Sequence, residues 1–313
     1  MNAALNVTLY IFSALAGLAV GSFLNVCIYR LPRGEFFSRS RSYCPKCGAQ
    51  IKVYDNIPLF SYIVLRGRCR NCKERISPRY PLVELLTCAL WVGNYAAFGM
   101  DGLTLVWDIA VSVLIVAAFV DLDTFEIPDS GILVLLILGL ITFAPFGGVS
   151  WQDKLIGCVC VSVPMLIVCL FGGMGFGDVK LYFVLGLLLG WKKILLVFLL
   201  SAVLGAVVSV AVLVKKRAGK RGKNITETGD GDAELAEHTN GSESFGESAR
   251  DGEREGDDDD AGESNEDGAE KSDVAPGKKG HEIPFGPFIA IATLVALYGG
   301  DAVISMYARI LGL

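Results

Sequence analysis

The chain has 313 residues, 52% of them apolar, a formal net charge of −5 and a positive mean hydropathy. That balance excludes a soluble enzyme and describes a polytopic membrane protein, with no nucleic-acid partner expected. Its only histidines, His238 and His281, lie in or beside an acidic stretch, which excludes Ser-His, Cys-His and HExxH chemistry and leaves carboxylates as acid–base groups.

The first apolar run, Leu5 to Ile28, is too long for a signal-peptide core and has no small-residue cleavage site after it, so it reads as a retained span. Further runs follow at 82–99, 104–120, 130–146, 154–172, 179–191, 194–214 and 284–311. Each approaches the roughly 20 residues that cross ~30 Å of hydrocarbon, with 179–191 short. Residues 179–214 cannot form one spanning helix, because at ~1.5 Å per residue they would reach ~54 Å. A turn is expected at Trp191-Lys192-Lys193. The expected fold is all-α with about eight transmembrane helices. Its parts are a first span (1–28), a cytoplasmic zinc-binding loop (29–81), a six-helix core (82–214), an acidic insert (215–283) and a last span (284–313).

Lys and Arg set the orientation. Residues 30–79 carry twelve of them, and placing that loop in the cytoplasm puts 24 basic residues inside against Lys154, Lys192, Lys193 and Arg309 outside. Both termini are then outside. Two spans separate the basic loop from Asp121 and two more separate Asp121 from Asp178, so all three features face the cytoplasm. Between Asn224 and Ile283 there are twenty acidic and five basic residues. This stretch has no apolar period, and a disordered cytoplasmic insert is expected, either a solvated tether or a docking segment.

Nine cysteines fall into two groups. Cys27, Cys88, Cys158, Cys160 and Cys169 lie in apolar runs and read as small packing residues. Cys44, Cys47, Cys69 and Cys72 make two C-x2-C knuckles, a spacing that presents four thiolates tetrahedrally to Zn²⁺ at about 2.3 Å. The alternative, a pair of disulfides, is disfavoured by a reducing cytoplasm. A shell closed by four sulfurs leaves no position for a catalytic water, so this zinc is structural.

Asp121, in DLDTFEIPD, ends the third span, with Asp123 and Asp129 beside it and Pro128 opening the fourth. Asp178 follows the glycine-rich turn of Gly172, Gly173, Gly175 and Gly177, which leaves room for a sharp bend and for another chain to approach. Ionisable residues at a span's edge read as functional. The alternatives are a helix N-cap for Asp178 and a polar turn for the others. Peptide cleavage needs one ionised carboxylate to activate water and one neutral carboxyl to protonate the amide. Each residue's own helix suggests Asp178, at a positive end, as the base and Asp121, at a negative end, as the acid. Glu84, Asp108 and Asn25 read as structural.

With these residues in hand, the chain resembles bacterial type IV prepilin peptidases, bifunctional leader peptidase/N-methyltransferases of the GxGD aspartyl class. The matching stretches are GSFLNVCIYRLP (21–32), CPKC…CRNC (44–72), SPRYPLVELLT (77–87), DLDTFEIPD (121–129), GFGDVKL (175–181) and IPFGPFIAIA (283–292). The resemblance implies catalytic roles for Asp121 and Asp178, zinc ligands at Cys44, Cys47, Cys69 and Cys72, and S-adenosylmethionine as methyl donor. It implies prepilin and pseudopilin substrates cut at a Gly–Phe bond on the cytoplasmic face of the bacterial inner membrane, followed by methylation of the new N-terminus. The long acidic insert departs from the family pattern but touches none of its motifs. No glycine-rich nucleotide fingerprint marks a methyl-donor site, so a peptidase without methyltransferase activity stays open. Inverted repeats, usual in transporters, are not evident, and the special residues gather at one face. A transporter or a membrane-anchored zinc scaffold are the remaining alternatives.

Overall fold

Two glycines in the first apolar helix decide how the bundle begins. In the computed structural model, which describes residues 3–36, 42–143, 149–171, 175–227 and 284–311, helix α1 runs Ala3–Arg30 and packs against α3, Arg79–Phe98. Gly17 and Gly21 form a G-x-x-x-G stripe. A Cβ on Gly17 would sit 2.8 Å from Cys88 Cα, and one on Gly21 2.7 Å from Glu84 Cα. Lipid supplies no hydrophobic drive between helices, so close backbone approach at small residues holds them together. Asn25 adds a polar tie, its Nδ2 donating to Tyr80 O at 3.0 Å. A short helix α2, Phe60–Val64, lies in the intervening loop.

Helix α4, Gly102–Thr124, starts on Asp101, whose carboxylate accepts from Gly102 N–H at 2.7 Å. It ends where Phe125 turns left-handed (φ 58°). Ala110, Val111, Leu114, Ile115 and Val120 are all buried, and α4 contacts α1, α3, α5 (Asp129–Ile141) and α9 (Gly286–Leu311). Away from the Asp121 end, Asn94 Nδ2 donates to the buried Asp108 at 2.8 Å and Tyr298 OH donates to Asn94 Oδ1 at 2.6 Å. Asp108 is therefore buried in a polar clamp.

Helix α6, Trp151–Leu170, is N-capped by Ser150, whose Oγ accepts from Asp153 N–H at 3.2 Å. It crosses α7, Phe176–Leu189, at a pair of glycines. A Cβ on Gly157 would lie 2.6 Å from Gly186 O, and one on Gly186 would collide with Gly157 O. Backbone faces backbone here, so nothing flexible can yield. Gly157→Ala is expected to lower stability by about 1–3 kcal/mol, seen as a lower melting temperature of the detergent-solubilised protein. An unchanged temperature would mean the helices do not cross there.

Gly190 (φ 77°) separates α7 from α8, Trp191–Glu227. The turn expected at Trp191-Lys192-Lys193 thus falls one residue earlier, at the glycine that can adopt a left-handed backbone. The helical backbone of α8 continues past the expected boundary at 214 as far as Glu227. The chain divides into 1–210 with 280–313 and, separately, 211–279; of the latter, residues 211–227 are described, and they are helical. The rest of the expected acidic insert, with His238 and His281, lies outside the described residues, as do Gly172 and Gly173.

Among the described residues the protein is all-helical, its only strand-like pairings being two isolated bridges in the loop. Six helices are long and apolar enough to cross a membrane: α1, α3, α4, α6, α8 as far as Lys215 and α9 as far as Met306. Helices α5 and α7, at 13 and 14 residues, are shorter. Nine of the eleven residues from Val179 to Leu189 are buried, with Phe183 exposed, so most of α7 packs against protein.

Candidate active site and metal centre

Asp121 and Asp178 come from different helices. Asp121 lies in the last turn of α4, 5% exposed, its backbone carbonyl accepting from Phe125 N–H at 2.9 Å. Asp178 lies in the first turn of α7, half-buried. The turns that carry them meet, with Lys180 Nζ 2.7 Å from Asp129 and Ile127 packed over Gly177. Gly175 is the N-cap of α7, so Asp178 stands three residues inside the helix and is not its cap. No side-chain hydrogen bond to it is present among the described residues.

Asp121 is held more firmly. Its Oδ2 accepts from Gly286 N–H at 2.7 Å. Gly286 opens α9, so the carboxyl meets the positive end of a second helix and a backbone donor, both of which stabilise the anion. The tertiary donor on Asp121 and the ends of each residue's own helix thus point in opposite directions. The half-buried Asp178, lacking such a donor, suits the protonated role. The sequence-based assignment missed α9 because its start lies 165 residues downstream and reaches Asp121 only through the tertiary fold. The glycine in IPFGPFIAIA was the available signal, since a glycine opening a helix marks a place where another group comes close.

The neighbouring acids are engaged elsewhere. Asp123 accepts two bonds from Arg79 Nη1, at 2.9 and 2.7 Å, while Arg79 Nη2 reaches Phe119 O at 2.8 Å. Asp129 pairs with Lys180 Nζ at 2.7 Å. These two ion pairs fasten the end of α4 and the start of α5 to the starts of α3 and α7. Pro128 is the residue before α5 rather than its first. The room expected beside the glycines is partly filled: a Cβ on Gly177 would meet Ile127 Cβ at 3.2 Å. Gly175 (φ −69°) has an ordinary extended backbone, so neither it nor the helical Gly177 is needed for a left-handed bend.

The four loop cysteines converge, their sulfurs all within 4.8 Å of one another and Cys44 and Cys72 at 3.9 Å. Sulfurs arranged tetrahedrally at 2.3 Å from one ion lie about 3.8 Å apart, so the set fits a metal ion. None is in a disulfide. The two knuckles share one construction. Cys44 N–H donates to Ala49 O and Cys69 N–H to Glu74 O, and the residue after each second cysteine, Gly48 (φ 68°) or Lys73 (φ 61°), is left-handed. A backbone donor at Ala49 and the Asn71 amide hold the Cys47 thiol down at about 7, which favours the thiolate that a metal needs. The loop is anchored to the membrane helices by Glu84, whose Oε2 accepts from Leu59 N–H at 2.8 Å where the backbone is strained (φ 56°). Glu84 is thus a structural tie to the loop backbone.

The chain matches two family models, the bacterial peptidase A24 N-terminal domain over residues 15–98 and the type IV leader peptidase family over 109–210. It is 38% identical over 231 residues to a prepilin leader peptidase/N-methyltransferase of Myxococcus xanthus (strain DK1622), covering 71% of this chain and 69% of that one. Proteins of the same description from Stutzerimonas stutzeri and Legionella pneumophila are 33% and 31% identical, over 94% and 96% of this chain and 91% and 94% of theirs. No solved structure matches.

Proposed function

As a member of the type IV leader peptidase family, this protein is a prepilin peptidase with N-methyltransferase activity, and we propose that Asp121 and Asp178 carry its cleavage chemistry. The observation that carries this reading is that the turn after Asp121 meets the first turns of α7, where Asp178 lies, through the Asp129–Lys180 ion pair at 2.7 Å and the approach of Ile127 to Gly177. The neighbouring Asp123 and Asp129 are occupied in ion pairs.

In the proposed reaction Asp121 is ionised and Asp178 protonated. Asp121 takes a proton from a water whose oxygen attacks the carbonyl carbon of the scissile Gly–Phe bond. Asp178 gives its proton to the departing amide nitrogen as the C–N bond breaks. The pair ends with its single proton on Asp121, and exchange with solvent restores the starting state. General acid–base transfer of this kind contributes about 10²–10⁴-fold each.

The cysteine cluster takes zinc in a closed, structural shell held by Cys44, Cys47, Cys69 and Cys72. Zinc there organises the loop and supplies no reacting water. S-adenosylmethionine, as methyl donor, supplies an electrophilic methyl group to the new N-terminal amine. Two open clefts of about 490 and 500 Å³ flank the loop, with Arg66 and Arg68 common to both. That cationic lining suits an anion and not a sulfonium, so no residue is assigned to the donor.

Eight crossings, with α5 and α7 spanning a thickness reduced by surrounding protein, put the loop and both aspartates on the cytoplasmic face of the inner membrane. The contacts of Asp123 with Arg79, of Asp129 with Lys180 and of Asp121 with Gly286 support a common face. The substrates are prepilins and pseudopilins. The purified protein is expected to convert a Gly–Phe prepilin to a shortened product and then to transfer label from radioactive S-adenosylmethionine to its terminal phenylalanine. Cleavage without label would leave a peptidase alone.

A further inference from the structure

The start of a helix leaves several backbone N–H groups without intrahelical partners. At the start of α9 almost none are free. Pro287 has no N–H, and those of Phe288 and Ile289 are directed to Phe285 O at 3.1 and 3.2 Å. The Gly286 N–H remains, and it donates to Asp121 Oδ2 at 2.7 Å. The first turn of α9 therefore presents its one outward donor to this carboxylate.

Absence of a side chain at 286 matters as much as the donor. A Cβ there would lie 2.8 Å from Asp121 Oδ2, 3.1 Å from its Cβ and 3.2 Å from its Cγ, and those are the three nearest atoms. Gly286 is not among the positive-φ residues, so its backbone suits any amino acid. Glycine is required there by contact with Asp121 and not by conformation. The position is itself fixed, because Phe285 fills the notch over Gly205, where a Cβ would come within 2.6 Å of its ring, and stacks edge-on with Phe288 at 5.8 Å.

We infer that Gly286 is a positioning residue for the cleavage reaction, its N–H holding Asp121 ionised and occupying Oδ2 so that the other oxygen faces the attacking water. The inference rests on the reading of Asp121 as catalytic. It makes α9 part of the active site although its first turn carries no titratable side chain. A methyl group at 286 pushes the carboxylate off its donor, weakening the anion without altering how the substrate helix binds.

The test compares wild type with Gly286→Ala and Gly299→Ala, using the purified full chain and a Gly–Phe prepilin across a pH series. Gly299 is a control in the same helix, since nothing lies within 4 Å of a Cβ there. Losing a hydrogen bond to a charged group corresponds to a fall in kcat of about 10- to 100-fold. In Gly286→Ala this fall is expected with KM unchanged and with the acid limb of the kcat profile moved to higher pH. Gly299→Ala is expected to match wild type. The limb's position does not depend on the active fraction, so a partly misfolded preparation still reports it. Wild-type kcat in Gly286→Ala, or a lower kcat with an unmoved limb, would overturn the inference. Asp121→Asn separates the two layers: activity there removes the reading of Asp121, whereas an inactive Asp121→Asn beside a normal Gly286→Ala removes only the role of Gly286.

Discussion

Stripping the metal from the cysteine cluster is expected to unfold the loop over residues 42–78 while the membrane helices keep their helicity. The loop has almost no core of its own: Cys44, Ser61 and Gly67 are its only buried residues, and Val53, Phe60 and Ile63 are exposed. Two isolated bridges and a five-residue helix supply little else. Four sulfurs around an ion must therefore take the place of packed side chains. Structural zinc in small peptides binds with an apparent free energy of about 10–16 kcal/mol, most of it expressed as folding. Treatment with a strong chelator should free the backbone after the exposed Arg66, Arg68, Lys73 and Arg75 for cleavage by trypsin and release one zinc per chain by elemental analysis. Cys47→Ser should reproduce the sensitivity without chelator. Undiminished protease resistance after complete metal loss would show that the loop folds without it.

Asp121→Asn and Asp178→Asn are each expected to reduce cleavage by about 10²–10⁴-fold or more, with no loss of zinc and little change in melting temperature. The two substitutions fail for different reasons. Asparagine at 121 still accepts from Gly286 N–H but cannot take the proton of water. At 178 it has no proton of suitable acidity to give to the amide nitrogen. Asp123→Asn and Asp129→Asn, which break exposed ion pairs, should cost little, since such pairs contribute about 0–1 kcal/mol. Product formation near the wild-type rate in either Asp121→Asn or Asp178→Asn would remove that residue from the chemistry.

Much of the helical layout was legible because length and apolarity alone specify it. The runs at 82–99 and 104–120 appear as Arg79–Phe98 and Gly102–Thr124, extended by caps that hydropathy does not register. The four-cysteine spacing likewise announced a convergent cluster, since two C-x2-C turns can place their sulfurs together whatever surrounds them. Other features were hidden because they are tertiary. The apolar run at 179–191 appears as Phe176–Leu189, and the burial of most of its residues by neighbouring helices is unseen in a linear pattern. Asp178 resembled a cap until Gly175 proved to hold that position. The proton assignment lacked the same tertiary information. It weighed each aspartate against its own helix, whereas the decisive donor on Asp121 comes from the far end of the chain. Glu84 could not be paired with Leu59 from sequence, because the strained loop backbone that offers that N–H has no residue signature.

The central claim is that two carboxyl groups act on one peptide bond. It is tested most directly by their separation in an experimentally determined complex with an uncleavable prepilin. The account predicts both groups within hydrogen-bond reach of a single water or of the scissile carbonyl, each contact about 2.6–3.2 Å. A bound scissile bond that reaches only one of them, with the other turned away, would contradict it.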